Sequence, residues 1–578
     1  MCGIIGAYSC SETIRKNVEE QIHSISYRGP DESAVANIGD KIVFGHVRLS
    51  IISIKDGQQP LQDSNTANTI IYNGELYNYL EIRSELESYW DFKTKSDTEV
   101  ILASYSRWGA DCISKFRGMF AFAIHDKGKN KLYLARDHAG IKPLYFYRGE
   151  NEIAFCSELK PLARILETKE LNKDAINNFL ALQYVPGNET IYKSIYKLIP
   201  GNVIEYDISN DNFENYYVEP VKYNFDEESF ESVLNETIQK YLRADVPVGV
   251  FLSGGIDSTL VSYYAKKYIK ELHSYSIHFR DEKYSEYEYS QYASQKIGTI
   301  HHAYELSEND ALYFLENIST IQDEPNGDSS CIPTYFVSKL AAKDLKVILS
   351  GDGADELFGG YSIYEKLRKN SNTFYRKFLT RLPLPHRFKR RIASNDWLFE
   401  NSRLVLPKNK LKKIINYDLD NYFYNNEGSV QSYMFHDFDN YMVDDVLMKV
   451  DKMSMKHSIE VRTPFLDQRI VTYAKLLDSN LKFNDLLGGK ALLKQELIEL
   501  LGDKFVNRKK MGFGIPLNEW MRTIFKNDIE NILYSEVFSD YCDVSELRNL
   551  YKDFVAGEDY SAFFYNVLVL GKWIGQND

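Results

Sequence analysis

From its start to about residue 160 the chain alternates short apolar runs with turn residues: KIVFGHVRLSII (41–52), NTIIYNGELYN (68–78), GMFAFAIHD (118–126), NKLYLARD (130–137), KPLYFY (142–147) and EIAFCSEL (152–159). Runs this short, rich in β-branched and aromatic residues, predict strands. Two of them flank Asp126-Lys127-Gly128-Lys129-Asn130, where Gly128 is available for positive φ, so a hairpin and an antiparallel sheet are expected. Helical spacing interrupts the strands at 12–25 and 96–108. The second helix opens with Ser96 as N-cap and Glu99 three residues on, as a capping box requires.

After about residue 205 the pattern changes. The polar stretch 207–219 (DISNDNFENYYVE) reads as a linker, and beyond it helices alternate with buried runs at 248–252, 274–279 and 346–349. That alternation predicts a parallel sheet, whose ligands bind at the carboxyl ends of its strands. From Ser371 onward the chain reads as mostly helical, most densely patterned at 435–457. The expectation is an α/β protein of two domains, 2–205 and 220–578.

Composition agrees with that division, because 578 residues exceed what one hydrophobic core usually organises. A net charge of −13 repels phosphate backbones and argues against nucleic acid as a partner, despite the basic run at 387–391. The six cysteines (Cys2, Cys10, Cys112, Cys156, Cys331, Cys542) form no CxxC pair and fit reduced thiols, hence a cytoplasmic setting. The start MCGIIGAYSC has no basic region before its apolar stretch, and no run approaches the roughly 18 apolar residues of a membrane span, so a soluble protein without a membrane partner is expected.

The first chemical candidate is Cys2. A small Gly3 after it generally permits loss of the initiator methionine, which would set the thiol beside its own α-amine. That amine titrates near pH 7.7–8.0 and can take the thiol proton without a histidine. Downstream stand Arg28-Gly29-Pro30-Asp31, Arg48-Leu49-Ser50-Ile51-Ile52, Tyr72-Asn73-Gly74-Glu75 and Ser96-Asp97. The Asn73 side chain and the Gly74 N–H can supply two donors to a tetrahedral oxyanion. Arg48 offers a fork for a carboxylate, and Glu75 and Asp97 offer charge for an ammonium.

The second candidate follows the run 248–252. Ser253-Gly254-Gly255-Ile256-Asp257-Ser258 joins strand to helix, bringing backbone N–H groups, hydroxyls and a helix N-terminus to an anion. No lysine follows the glycines, so it is not a Walker loop. A second loop, Ser350-Gly351-Asp352-Gly353-Ala354-Asp355-Glu356, ends another strand, and Asp257 with Asp355 are hard oxygen ligands suited to Mg²⁺.

The Cys2 array resembles the glutaminase domain of class II, N-terminal-nucleophile amidotransferases, and SGGIDS resembles the loop of ATP pyrophosphatases. With Val461-Arg462-Thr463-Pro464-Phe465-Leu466-Asp467, nearly the whole chain resembles glutamine-hydrolysing asparagine synthetases. The resemblance implies an N-terminal αββα sandwich of antiparallel sheets and a C-terminal ATP pyrophosphatase domain. It further implies glutamine contacts from Arg48, Leu49, Ser50, Ile51, Ile52, Asn73, Gly74, Glu75 and Asp97. ATP contacts are implied for Leu252, Ser253, Gly254, Gly255, Asp257, Ser258, Ile277, Ser350 and Gly351. Mg²⁺ ligands are implied at Asp257 and Asp355, with catalytic roles for Asp352 and for Lys510, which would neutralise the α-phosphate. Substrates are then glutamine, ATP and a small carboxylate, aspartate favoured, in an enzyme usually found as a homodimer. One position departs from the family: Asp352 stands where the best-recognised members carry glutamate, a spelling shared with relatives that amidate sugar uronates in bacterial surface polysaccharides. An apolar interdomain passage for ammonia is also expected, since only the unprotonated form is a nucleophile.

Overall fold

The computed structural model describes residues 2–225, 228–281, 283, 285–370, 395–416, 419, 422–423, 428–508 and 514–576. The N-terminal strands form two six-stranded antiparallel sheets. In one, Gly3–Tyr8 lies centrally between Ile42–Arg48 and Glu152–Cys156. In the other, Gly118–Asp126 lies between Thr69–Leu76 and Lys131–Arg136. Strand alternation separates their two faces. Ile4, Phe44, Phe155, Ile71, Ala121 and Leu134 meet in a core between the sheets. Ile5, Val43 and Cys156 point outward to pack with the helices Glu12–Gln21 and Leu159–Ile165. Ile70, Tyr72 and Phe120 pack with Tyr79–Leu86 and Asp97–Trp108. Helix, sheet, sheet, helix is the expected αββα sandwich.

Three local expectations need correction. The stretch 207–219 is not merely a linker: Asn212–Tyr217 pairs antiparallel with Asn202–Asp207 and extends the second sheet, with Asp211 turning the hairpin at φ 53°. The hairpin after Asp126 is present, but its left-handed residue is Asn130 (φ 54°) rather than Gly128. Ser96 caps its helix by accepting from Thr98 N, yet Glu99 closes no capping box. Its carboxylate instead accepts from the backbone of Lys93 (2.8 Å) and Thr94 (2.6 Å), tying down the incoming chain.

The C-terminal sheet has five parallel strands in the order Ile300–Leu306, His273–Phe279, Val248–Phe251, Val347–Leu349, Glu460–Arg462. Strand order reverses at Val248–Phe251, and the crevice at such a switch point is where open α/β sheets bind ligands. Both glycine loops leave the sheet there.

Candidate active site

Cys2 is buried at the start of its strand, and its backbone nitrogen donates to Asn73 Oδ1 at 3.1 Å. That bond fixes the orientation of the Asn73 amide, since an N–H must face the oxygen. The other end of the amide, Nδ2, is wholly buried with no partner in the protein. An orphaned donor beside a cysteine is costly unless something accepts from it during turnover. Gly74 follows, and an added Cβ there would lie 2.1 Å from Met119 O, so only glycine admits this strand pairing. Burial pushes the Cys2 thiol up in pKa, opposed by positive charge at the chain's amino terminus and by the Leu49 N–H. The resting sulfur is thus a thiol that needs a base. With the donor geometry in place, Asn73→Ala should lower glutamine turnover about 10²–10³-fold, the usual cost of one oxyanion donor, with little change in ammonium-driven activity. Parallel rate measurements on both nitrogen sources check this.

Around that centre the substrate-binding candidates converge. Arg48 is 4% exposed and donates to Glu32 (3.2 Å) and to the carbonyls of Ile52 (3.3 Å), Ser53 (2.7 Å) and Ile54 (3.2 Å). The fork therefore braces the Leu49–Ile52 loop in addition to any carboxylate it meets. Ser50 N donates to Asp31 Oδ2 (2.7 Å), and Asp31 in turn pairs with Lys346 at the foot of a parallel-sheet strand. Asp97 accepts from Tyr72 Oη (3.0 Å) and Leu76 N (3.1 Å), while Glu75 accepts from Arg462 Nη2 (3.1 Å). Burial raises the pKa of both carboxyls; for Glu75, Arg462 opposes the rise and neighbouring Asp97 adds to it.

At the second centre, Gly254 takes φ 81° and an added Cβ would meet Ser290 N at 2.6 Å. Ser253 Oγ lies 3.2 Å from Gly255 N and 3.1 Å from Ser258 Oγ, so hydroxyls and N–H groups share one small concavity above the helix Ile256–Lys266. The two loops touch. A Cβ on Gly351 would lie 2.7 Å from Asp257 Cβ and 2.8 Å from Ser258 N. Leu252, just past Val248–Phe251, and Ile277, on the neighbouring parallel strand, are both buried. Ser350 Oγ donates to Asp352 Oδ2 (2.6 Å), and burial raises the Asp352 carboxyl while Ser350 and Lys449 counter it.

Asp257 and Asp355 do converge, and Lys490 Nζ lies 2.5 Å from an oxygen of each. Two carboxylates thus meet at one cation, and their oxygens are the donor set a divalent ion would use in place of the ammonium. Two carboxylates plus substrate phosphates and water is also a usual Mg²⁺ environment. Lys490 was invisible to sequence reasoning, because GGKALL has no feature beyond a helix start; its own φ of 59° places the ammonium in the crevice. Arg508 was also missed. It donates to Gly254 O (2.8 Å) and stacks over Tyr289, bringing a cation to the first loop. Lys510, expected at the α-phosphate, lies outside the described residues, as does the basic run 387–391.

The halves meet through charge as well as through apolar packing, in which Leu49, Ile51, Tyr77 and Met119 share one core with Phe230, Val233 and Leu234. Arg28 of the RGPD segment is fully buried, donating to Cys2 O (3.1 Å), Glu158 (2.5 Å) and Asp451 (2.8 Å). Lys452 adds bonds to Glu158 (2.7 Å) and Asp323 (3.2 Å). Buried charges survive here because each is paired and hydrogen-bonded. A void of about 20 Å³, enough for roughly one water, is lined by Tyr184 and Val185 on one side and by Asn326, Met448 and Lys449 on the other.

A buried cysteine with an oxyanion donor, joined to paired phosphate loops at a parallel-sheet switch point, defines an amidotransferase coupled to an ATP-using synthetase. Comparison with known proteins sharpens the class. Residues 1–217 match the glutamine amidotransferase domain and residues 229–574 match asparagine synthase. The chain belongs to the asparagine synthase family. It is 31% identical to the glutamine-hydrolyzing asparagine synthetase 1 of Bacillus subtilis, over 99% of this chain and 96% of that one. Identity with asparagine synthetase 3 of the same organism is 29%, over 93% and 91%. With asparagine synthetase B of Escherichia coli it is 30%, over 63% and 66%.

Proposed function

We propose that this protein is a glutamine-dependent asparagine synthetase, converting aspartate, ATP and glutamine into asparagine, AMP, pyrophosphate and glutamate. The observation that carries the reading is the unpartnered Asn73 amide beside Cys2, in one molecule with two phosphate loops whose acidic residues converge. Once Met1 is removed, the nitrogen that touches Asn73 Oδ1 is the α-amine, placed to accept the thiol proton. Cys2 Sγ then attacks the glutamine amide carbon. Asn73 Nδ2 and Gly74 N–H hold the oxyanion, ammonia leaves with a proton from the amine, and water hydrolyses the thioester to glutamate.

In the second centre the Ser253–Ser258 loop and Ser350–Gly351 hold the triphosphate, and Leu252 and Ile277 enclose the base. An acceptor carboxylate oxygen attacks the α-phosphorus and pyrophosphate leaves. Ammonia then attacks the acyl carbon, AMP departs, and one proton is lost, with Asp352 the carboxylate assigned to that step. Mg²⁺ between Asp257 and Asp355 would neutralise charge on the departing pyrophosphate. Free thiols throughout the described residues agree with a cytoplasmic enzyme.

The test is pyrophosphate release from protein supplied with ATP, Mg²⁺ and ammonium. Release should depend on aspartate, with asparagine formed in equal amount. Dependence on a hexuronate instead would replace the acceptor, keep the chemistry, and make the shorter Asp352 side chain the residue that explains the change.

A further inference from the structure

Arg462 belongs to an edge strand of the synthetase sheet, yet its side chain ends against Glu75 of the N-terminal half. The residue is fully buried. Nε donates to Glu460 (2.6 Å), Nη1 to the carbonyls of Tyr241 and Arg243 (2.7 Å each), and Nη2 crosses to Glu75 Oε2 (3.1 Å). Three of these four bonds anchor the guanidinium in the C-terminal half, and the fourth is delivered to the N-terminal half. The other Glu75 oxygen, Oε1, is buried with no partner in the protein. One oxygen is held and the other is presented. Burial pushes the Glu75 carboxyl up, and Arg462 opposes that push. Arg462 is also tied to the ATP-binding side, because its own carbonyl accepts from Ser350 N at 2.9 Å.

We propose that Arg462 is a positioning residue for glutamine: reaching from the synthetase domain, it holds one oxygen of Glu75 and leaves the other aimed at the substrate's α-ammonium, so that the glutaminase pocket is incomplete without the second domain. This rests on reading Glu75 as a partner of that ammonium. Arg462 touches no reacting atom, so its removal should weaken binding far more than turnover.

The experiment is steady-state glutaminase kinetics, with ammonium-driven synthesis alongside, on Arg462→Met, Arg462→Lys, Glu75→Gln and the Arg462→Met/Glu75→Gln pair. Glutamine KM should rise about ten- to a hundred-fold in Arg462→Met, the range of one charge-assisted hydrogen bond. Meanwhile kcat and the ammonium-driven rate should stay within a few-fold of wild type. Arg462→Lys, which restores charge but not the fork, should recover part of the loss. If the methionine variant fails to fold, the pair decides, since it removes both partners of the ion pair together. Acting through Glu75 means that Glu75→Gln and the pair share one glutamine KM. Additive losses in the pair, or an unchanged KM in Arg462→Met, overturn the proposal. An unchanged KM in Glu75→Gln overturns the reading of Glu75 itself, and is recognisable because it appears without any change at Arg462.

Discussion

Cys2→Ala should abolish product formation from glutamine while product from ammonium continues at close to the wild-type rate. The thiol belongs to the residue bonded to the orphaned Asn73 amide, so its loss removes the proposed thioester-forming group. Its removal takes nothing from the glycine loops of the second centre. The side chain is small and the substitution deletes one atom, so the fold tolerates it. Amide formation measured with each nitrogen source in turn checks this, and equal loss with both would mean that the two halves do not divide the labour.

Asp257→Asn produces the opposite pattern. It removes one of the two carboxylates that face Lys490, and with it a charge that the proposed mechanism uses to hold a cation at the nucleotide. Synthesis should fall by at least about 10²–10³-fold with either nitrogen source, on the scale of removing one preorganised electrostatic contact. Glutamine hydrolysis should stay within a few-fold. Folding should survive, because asparagine is isosteric and Lys490 retains Asp355. Pyrophosphate release and glutamate formation, measured on the same protein sample, separate the two activities.

Much of this arrangement was legible in the residues. Strand alternation at Ile4/Ile5 and Ile70/Ile71 announces sheets with two buried faces, and the glycine loops announce the phosphate site, because both follow from local chemistry. What stayed hidden depends on residues distant in sequence. Lys490 reads as an ordinary helix start until folding brings it between Asp257 and Asp355, 233 residues away in the first case. Arg462 sits in a motif that marks the family, but its bond to Glu75 spans 387 positions. The buried pair of Arg28 with Asp451 stayed hidden for the same reason: each ion looks unpaired in sequence and is paired in space. The strand Asn212–Tyr217 was missed because an exposed edge carries polar side chains, which composition alone cannot distinguish from a linker.

The central claim is that ammonia freed at Cys2 reaches the acyl group activated at the second centre. Amide-labelled ¹⁵N-glutamine, turned over with ATP, Mg²⁺ and the acceptor in the presence of excess unlabelled ammonium, tests it most directly. The account predicts that the product amide carries ¹⁵N well above its fraction in the free ammonium pool, with one AMP formed per amide. Product labelled no more than that pool would contradict it, since the two sites would then communicate only through solvent.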